Sequence, residues 1–126
     1  MNGESFRFHH LGVPSPEPRE GEVFLPKFGM HVTPLQSDPF RIQWMRFEDD
    51  SPLPMLVKEV PHLAFQVESL ETALKGRDIL IPPNSPSNGV RVAFILHGGA
   101  PIEFLEFTGG HPDKLPEGAG KGPSHG

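Results

Sequence analysis

His10-Leu11-Gly12-Val13 and His62-Leu63-Ala64-Phe65 read as two versions of one strand, 62 − 10 = 52 positions apart. A second pair repeats the relation: Ile42-Gln43-Trp44-Met45-Arg46-Phe47 returns as Ile102-Glu103-Phe104-Leu105-Glu106-Phe107, 103 − 43 = 60 positions later. Each half opens on an imidazole and closes on a side-chain oxygen. The later half holds 60 − 52 = 8 more residues between its anchors, as expected of two related modules of which the first is trimmed. Two His, a carboxylate and an amide oxygen, each from a separate strand, can surround one divalent cation and leave positions open for water or substrate.

At 126 residues the chain can build one compact core but not two, so the half-modules must share it. Sixteen acidic against eleven basic side chains give a net charge of −5, and no Lys/Arg cluster is placed to follow a phosphate backbone, which argues against a nucleic-acid partner. With no cysteine there is neither a disulfide framework nor thiolate chemistry, so a metal here must take nitrogen and oxygen ligands. The longest apolar run, residues 92–96, is far short of the roughly 20 residues of a membrane helix. The start of the chain lacks a basic segment followed by an apolar one, so the expectation is a soluble, cytoplasmic protein without a membrane association.

Along the chain, residues 6–13 read as a strand that puts Phe6, Phe8 and His10 on one face, with Pro14 ending the ladder. Pro16, Pro18 and Pro26 then allow at most a short helix around residues 20–25. Residues 31–35 and 40–47 follow as strands, separated by the turn-forming Ser37-Asp38-Pro39. In the second half, residues 60–67 form the repeated strand, and Ser69 caps a helix over residues 70–75 that Gly76 ends. Residues 79–81, 90–97 and 101–107 follow as strands, with 82–89 as a loop and Gly98-Gly99 as a hairpin turn. The organisation is one domain over residues 1–107, with module one at 6–47, a linker at 48–59 and module two at 60–107. The remaining stretch, 108–126, holds six Gly, three Pro and a single large aliphatic, Leu115, and reads as a flexible tail.

A repeated strand-helix-strand-strand-strand unit with His in the first strand and Glu in the last resembles the vicinal oxygen chelate superfamily, which includes glyoxalase I, methylmalonyl-CoA epimerase, extradiol dioxygenases and bleomycin-resistance proteins. The segment His9-His10-Leu11-Gly12-Val13 resembles the opening strand of the first module. Residues 61–70 resemble the opening of the second module, and residues 101–107 its closing strand. The resemblance implies an α+β fold of two βαβββ modules, the first lacking a strand and most of its helix, that together form a curved mixed-sheet half-barrel around a cleft. It further implies that His10, Gln43, His62 and Glu103 bind a divalent metal (Mn, Ni, Co, Fe or Zn), with Glu103 as a displaceable ligand and catalytic base. The implied activity is that of a lyase, isomerase or epimerase on a small substrate with vicinal oxygens, and the His, Gln, His, Glu set is similar to the epimerase branch. Exposed sheet edges, and the chain pairing common in the superfamily, lead us to expect a homodimer.

Two alternatives stay open on the same residues. A metal-independent binding protein of the bleomycin-resistance type would sequester a small molecule in the cleft, and an iron-dependent dioxygenase would need only His10, His62 and Glu103. Gln43 discriminates between the epimerase-like and iron sites. Strand alternation sends His9 to the face opposite His10 unless a bulge intervenes, leaves Glu106 on the face opposite Glu103, and places turn-adjacent His31 and His97 towards solvent. His111 and His125 fall in the tail.

Overall fold

The computed structural model describes residues 5–109; the expected tail from residue 110 on, with His111 and His125, lies outside the described residues. At the centre of the sheet β1 (Arg7–Pro14) and β5 (His62–Gln66) run antiparallel, with Gly12 opposite His62 and His10 opposite Ala64. On its other side each is flanked, in parallel, by the last strand of its own module. β4 (Ile42–Phe47) lies beside β1 with Gln43 opposite Gly12, and β8 (Ala100–Phe107) lies beside β5 with Glu103 opposite Ala64. Antiparallel hairpins complete each wing: β3 (Met30–Val32) and β2 (Val23–Leu25) outside β4, and β7 (Val90–His97) and β6 (Asp78–Ser87) outside β8.

The spatial order β2-β3-β4-β1-β5-β8-β7-β6 is the same four-strand pattern written twice in opposite senses about the β1–β5 seam, so the internal repeat of the sequence is a pseudo-twofold of the fold. The result is a mixed α+β, eight-stranded half-barrel with few helices, consistent with a glyoxalase-like architecture.

Side chains alternate across this sheet as the pleat requires. Outward-facing Ala93, Ile95 and Phe104 receive α2 (Leu70–Leu74), whose Leu70 and Ala73 are buried against them. Ser69 caps this helix by accepting from the Thr72 amide at 3.2 Å. Burial of a side chain such as Leu70 contributes about 1.5–3 kcal/mol. Inward-facing residues form two apolar clusters, one of Leu25, Met30, Val32 and Met45 and one of Ala64, Val90, Val92 and Leu105, and a cavity lies between them.

Four expectations need correction. Module one keeps all four strands, because residues 23–25, expected as a helix, form β2 against β3; a three-residue strand among prolines offers too short an alternation to be read. Residues 82–89, expected as a loop, continue β6 as far as Ser87. Pro82, Pro83 and Pro86 are tolerated there because β6 is the last strand in the sheet, and its outer side needs no amide donors. The linker contains α1 (Met55–Glu59), which buries Val57 against the cavity. The short strand expected over 31–35 is shifted to 30–32 and followed by a 3-10 turn, Leu35–Ser37. The Gly98-Gly99 hairpin forms as read: both residues have positive φ, +57° and +86°, as a tight two-residue turn requires.

Candidate metal centre

His10, His62 and Glu103 come from the three central strands β1, β5 and β8, all pointing to the concave face. Their ligand atoms lie within 4.8 Å of one another. Glu103 Oε1 stands 3.2 Å from His62 Nε2 and 3.4 Å from His10 Nε2. For metal–ligand bonds of about 2.1 Å, adjacent ligand atoms are about 3.0 Å apart in an octahedron and about 3.4 Å apart in a tetrahedron, so both separations are those of a coordination edge. His62 Nδ1 is buried and has no hydrogen-bond partner, which leaves the ring's polar ties in the described protein under-satisfied. The donor set of two imidazoles and one carboxylate fits a divalent transition metal.

Burial works to raise the pKa of Glu103, but hydrogen bonds from His10 and His62, and the positive charge those rings carry when protonated, outweigh it and bring the carboxyl down to about 2. The carboxylate is therefore ionised at any pH at which it would serve as a ligand.

Gly12 makes room for His62. A Cβ on Gly12 would lie 2.3 Å from His62 Cε1 and 2.8 Å from both ring nitrogens. The imidazole thus lies flat over the neighbouring strand, where its other neighbours are Phe94 and His10, both edge-to-face at centroid distances of 4.9 and 5.6 Å. A glycine inside a strand is the sequence sign of such a close approach.

His9 is the residue that alternation misplaces. The register of β1 against β5 slips between Phe8 and His10, and this bulge turns His9 inward, so that both histidines are buried and line the cavity. The carbonyl of His9 accepts from Arg41 Nε at 2.6 Å, while Leu11 N donates to the Arg41 carbonyl at 3.0 Å. Arg41 is the non-glycine residue with positive φ, +57°, among the described residues, so the bulge is braced by a residue held in an uncommon backbone conformation. His9 Nδ1 and His10 Nδ1 share a hydrogen bond of 2.8 Å, which ties one nitrogen of His10 and leaves Nε2 towards Glu103. The adjacent His9-His10 pair was the available signal; the bulge was not legible.

Gln43 lines the same cavity, and its Nε2 donates to the Thr33 carbonyl at 3.3 Å. Glu106 lies on the outer face, 3.4 Å from Arg91. His97 is exposed, but His31 is not, contrary to expectation: it is buried on the outer side of module one, 2.6 Å from Glu48, where Glu22 and Arg46 also converge. In module two the corresponding outer side is covered by α2. Module one lacks that helix, and the segment before β2 folds over instead, stacking Arg19 on Trp44 at 3.8 Å and pairing Glu22 with Arg46.

The chain matches no protein-family model and no curated protein. Among solved structures, a hypothetical protein from Bacillus halodurans C-125 is similar to it with a TM-score of 0.60 and 19% identity, over 86% of this chain and 98% of that one. That likeness shows the fold alone. No helix among the described residues is long and apolar enough to cross a membrane.

Proposed function

We propose that this chain is a metal-dependent lyase, isomerase or epimerase of the vicinal oxygen chelate type, holding one divalent cation on His10, His62 and Glu103 and acting on a small substrate with two adjacent oxygens. The convergence of three ligand atoms within 4.8 Å on the cavity floor carries this reading. A cation so held polarises a substrate oxygen and stabilises negative charge that develops beside it.

The protein's own residues supply the rest. His9 fixes the ring of His10, Gly12 lets His62 lie close, and apolar side chains line most of the rest of the cavity. Gln43 is the candidate fourth ligand through its amide oxygen, since its nitrogen is occupied by Thr33. Glu103 is the candidate base. While both imidazoles hydrogen-bond to it, the carboxylate is too weak a base for work near neutral pH, so this role requires it to leave those partners as substrate binds.

His10, His62 and Glu103 also constitute the two-His-one-carboxylate set of non-haem iron oxygenases, which keeps that chemistry as the second reading. Elemental mass spectrometry on untagged protein, alongside His62→Ala and Glu103→Ala, tests both. Near-stoichiometric metal in the parent and none in either variant is expected, and its identity separates iron chemistry from the epimerase-like site. Absence of metal after reconstitution with Mn, Ni, Co, Fe and Zn overturns the proposal and leaves a metal-independent binding protein.

A further inference from the structure

The floor of the cavity is polar, but its walls are hydrocarbon: Val32, Met45, Val57, Val92, Phe94 and Leu105 are among the side chains that face it, all of them buried. Polar side chains in the lining are confined to His9, His10, Gln43, His62, Asn84 and Glu103, and no described residue that lines it is Lys or Arg. Lys27 reaches across from the β2–β3 turn to the Ser85 carbonyl on β6 at 3.5 Å, so this cation binds main chain and stands outside the lining.

A phosphate or carboxylate carried among the apolar walls, away from His10, His62 and Glu103, would lose its water with no cationic side chain to replace it. The cavity, open at one side, offers about 150 Å³. An apolar cavity of that order accommodates a benzene-sized body.

We infer that the ligand of this site is a compact molecule whose uncharged aromatic or branched-alkyl body, of about benzene size, fills the apolar walls while two adjacent oxygens face His10, His62 and Glu103. This rests on the metal reading above, and it narrows that reading to substrates whose body, apart from the two chelating oxygens, enters without a charged group. A charged tail, where a substrate has one, belongs outside the mouth.

Three hydroxamic acids separate the contributions, because each presents the same adjacent oxygen pair. Acetohydroxamic acid has almost no body, benzohydroxamic acid adds a phenyl ring, and 4-carboxybenzohydroxamic acid adds a charge at the far end of that ring. Calorimetric titration of the metal-loaded full-length chain is expected to show benzohydroxamic acid binding roughly 30-fold more tightly than acetohydroxamic acid, from burial of the ring, and the carboxylated compound losing that gain. Equal affinities for the first two, equal affinities for the last two, or no binding of any to protein that carries stoichiometric metal each overturns the inference while leaving the metal reading intact. Failure of the chain to take up any metal overturns that reading, and the inference with it.

Discussion

Replacing Gly12 by Ala is a single-methyl test of the site. The added Cβ would stand 2.3 Å from His62 Cε1, and ordinary carbon contacts begin near 3.4 Å, so about 1 Å of movement is required. The His62 ring is 3% exposed and wedged by Phe94 and His10, so it cannot swing aside without disturbing both. Overpacking of this kind costs about 1–3 kcal/mol. Working against that cost, Gly→Ala at a strand position with unstrained backbone stabilises by about 0.4–1 kcal/mol through the unfolded state. Gly12 is such a position, since it is not among the positive-φ residues.

The two effects are separable in a double-mutant cycle. With His62 present, Gly12→Ala is expected to destabilise by about 1–2 kcal/mol in urea unfolding, and in the His62→Ala background it is expected to be neutral or slightly stabilising, giving a coupling of about 1–3 kcal/mol. Metal affinity measured by calorimetry on Gly12→Ala alone is expected to fall about 10–100-fold, because the ring that carries the ligand is the group displaced. A coupling energy near zero, together with parental metal affinity, would refute the close approach of His62 to β1 and with it the account of why this strand carries a glycine.

Three further predictions follow from the same geometry. His9→Phe is expected to lower metal affinity about 10-fold or more with the far-ultraviolet spectrum unchanged, and His9→Gln to recover part of it; equal affinities in all three proteins would show that the 2.8 Å contact does not orient His10. Saturating metal, at about 100 times its dissociation constant, should add about 2.7 kcal/mol to unfolding stability, and the increment should vanish in Glu103→Ala. Glu22 has its pKa lowered by the hydrogen bond from Arg46 despite opposition from burial, so its folded value lies below 4.5; the stability it contributes is present above 4.5 and lost as pH falls through the folded value. Glu22→Gln should therefore cost about 1 kcal/mol near neutral pH, allowing for solvent screening, and the gap from the parent should close on acidification below pH 4.5 in pH-resolved urea unfolding; a gap that is constant with pH would contradict the ion pair.

The parts of the fold that were legible are those where six or more residues, rich in apolar side chains, run unbroken between Gly, Pro or Asp turn signals. β1, β4, β7 and β8 meet that condition, and β5 was readable because its surroundings repeat those of β1. β2 has only three residues, and β6 carries three prolines that only an edge position permits, so neither announces itself locally. Whether a proline-rich stretch lies on an edge is a property of the whole sheet order, which no local window contains.

The candidate site divides in the same way. His10 and His62 sit at equivalent points of the repeat, and since the repeat is a pseudo-twofold about the β1–β5 seam, equivalence in sequence brings the two imidazoles to one place in space, beside Glu103. Gln43 occupies in module one the place Glu103 takes in module two, opposite Gly12 as Glu103 is opposite Ala64, yet its nitrogen is engaged by Thr33 while Glu103 stands between both histidines. What breaks the symmetry is charge: the carboxylate can accept from two imidazoles, whereas the amide brings a donor that must find a carbonyl. His9 escaped because strict alternation holds only where the ladder is unbroken, and the slip between Phe8 and His10 depends on Arg41, thirty-two residues away, taking up the carbonyl that the bulge releases. A long-range contact that re-aims a side chain by one register step leaves no periodic trace in the strand it alters.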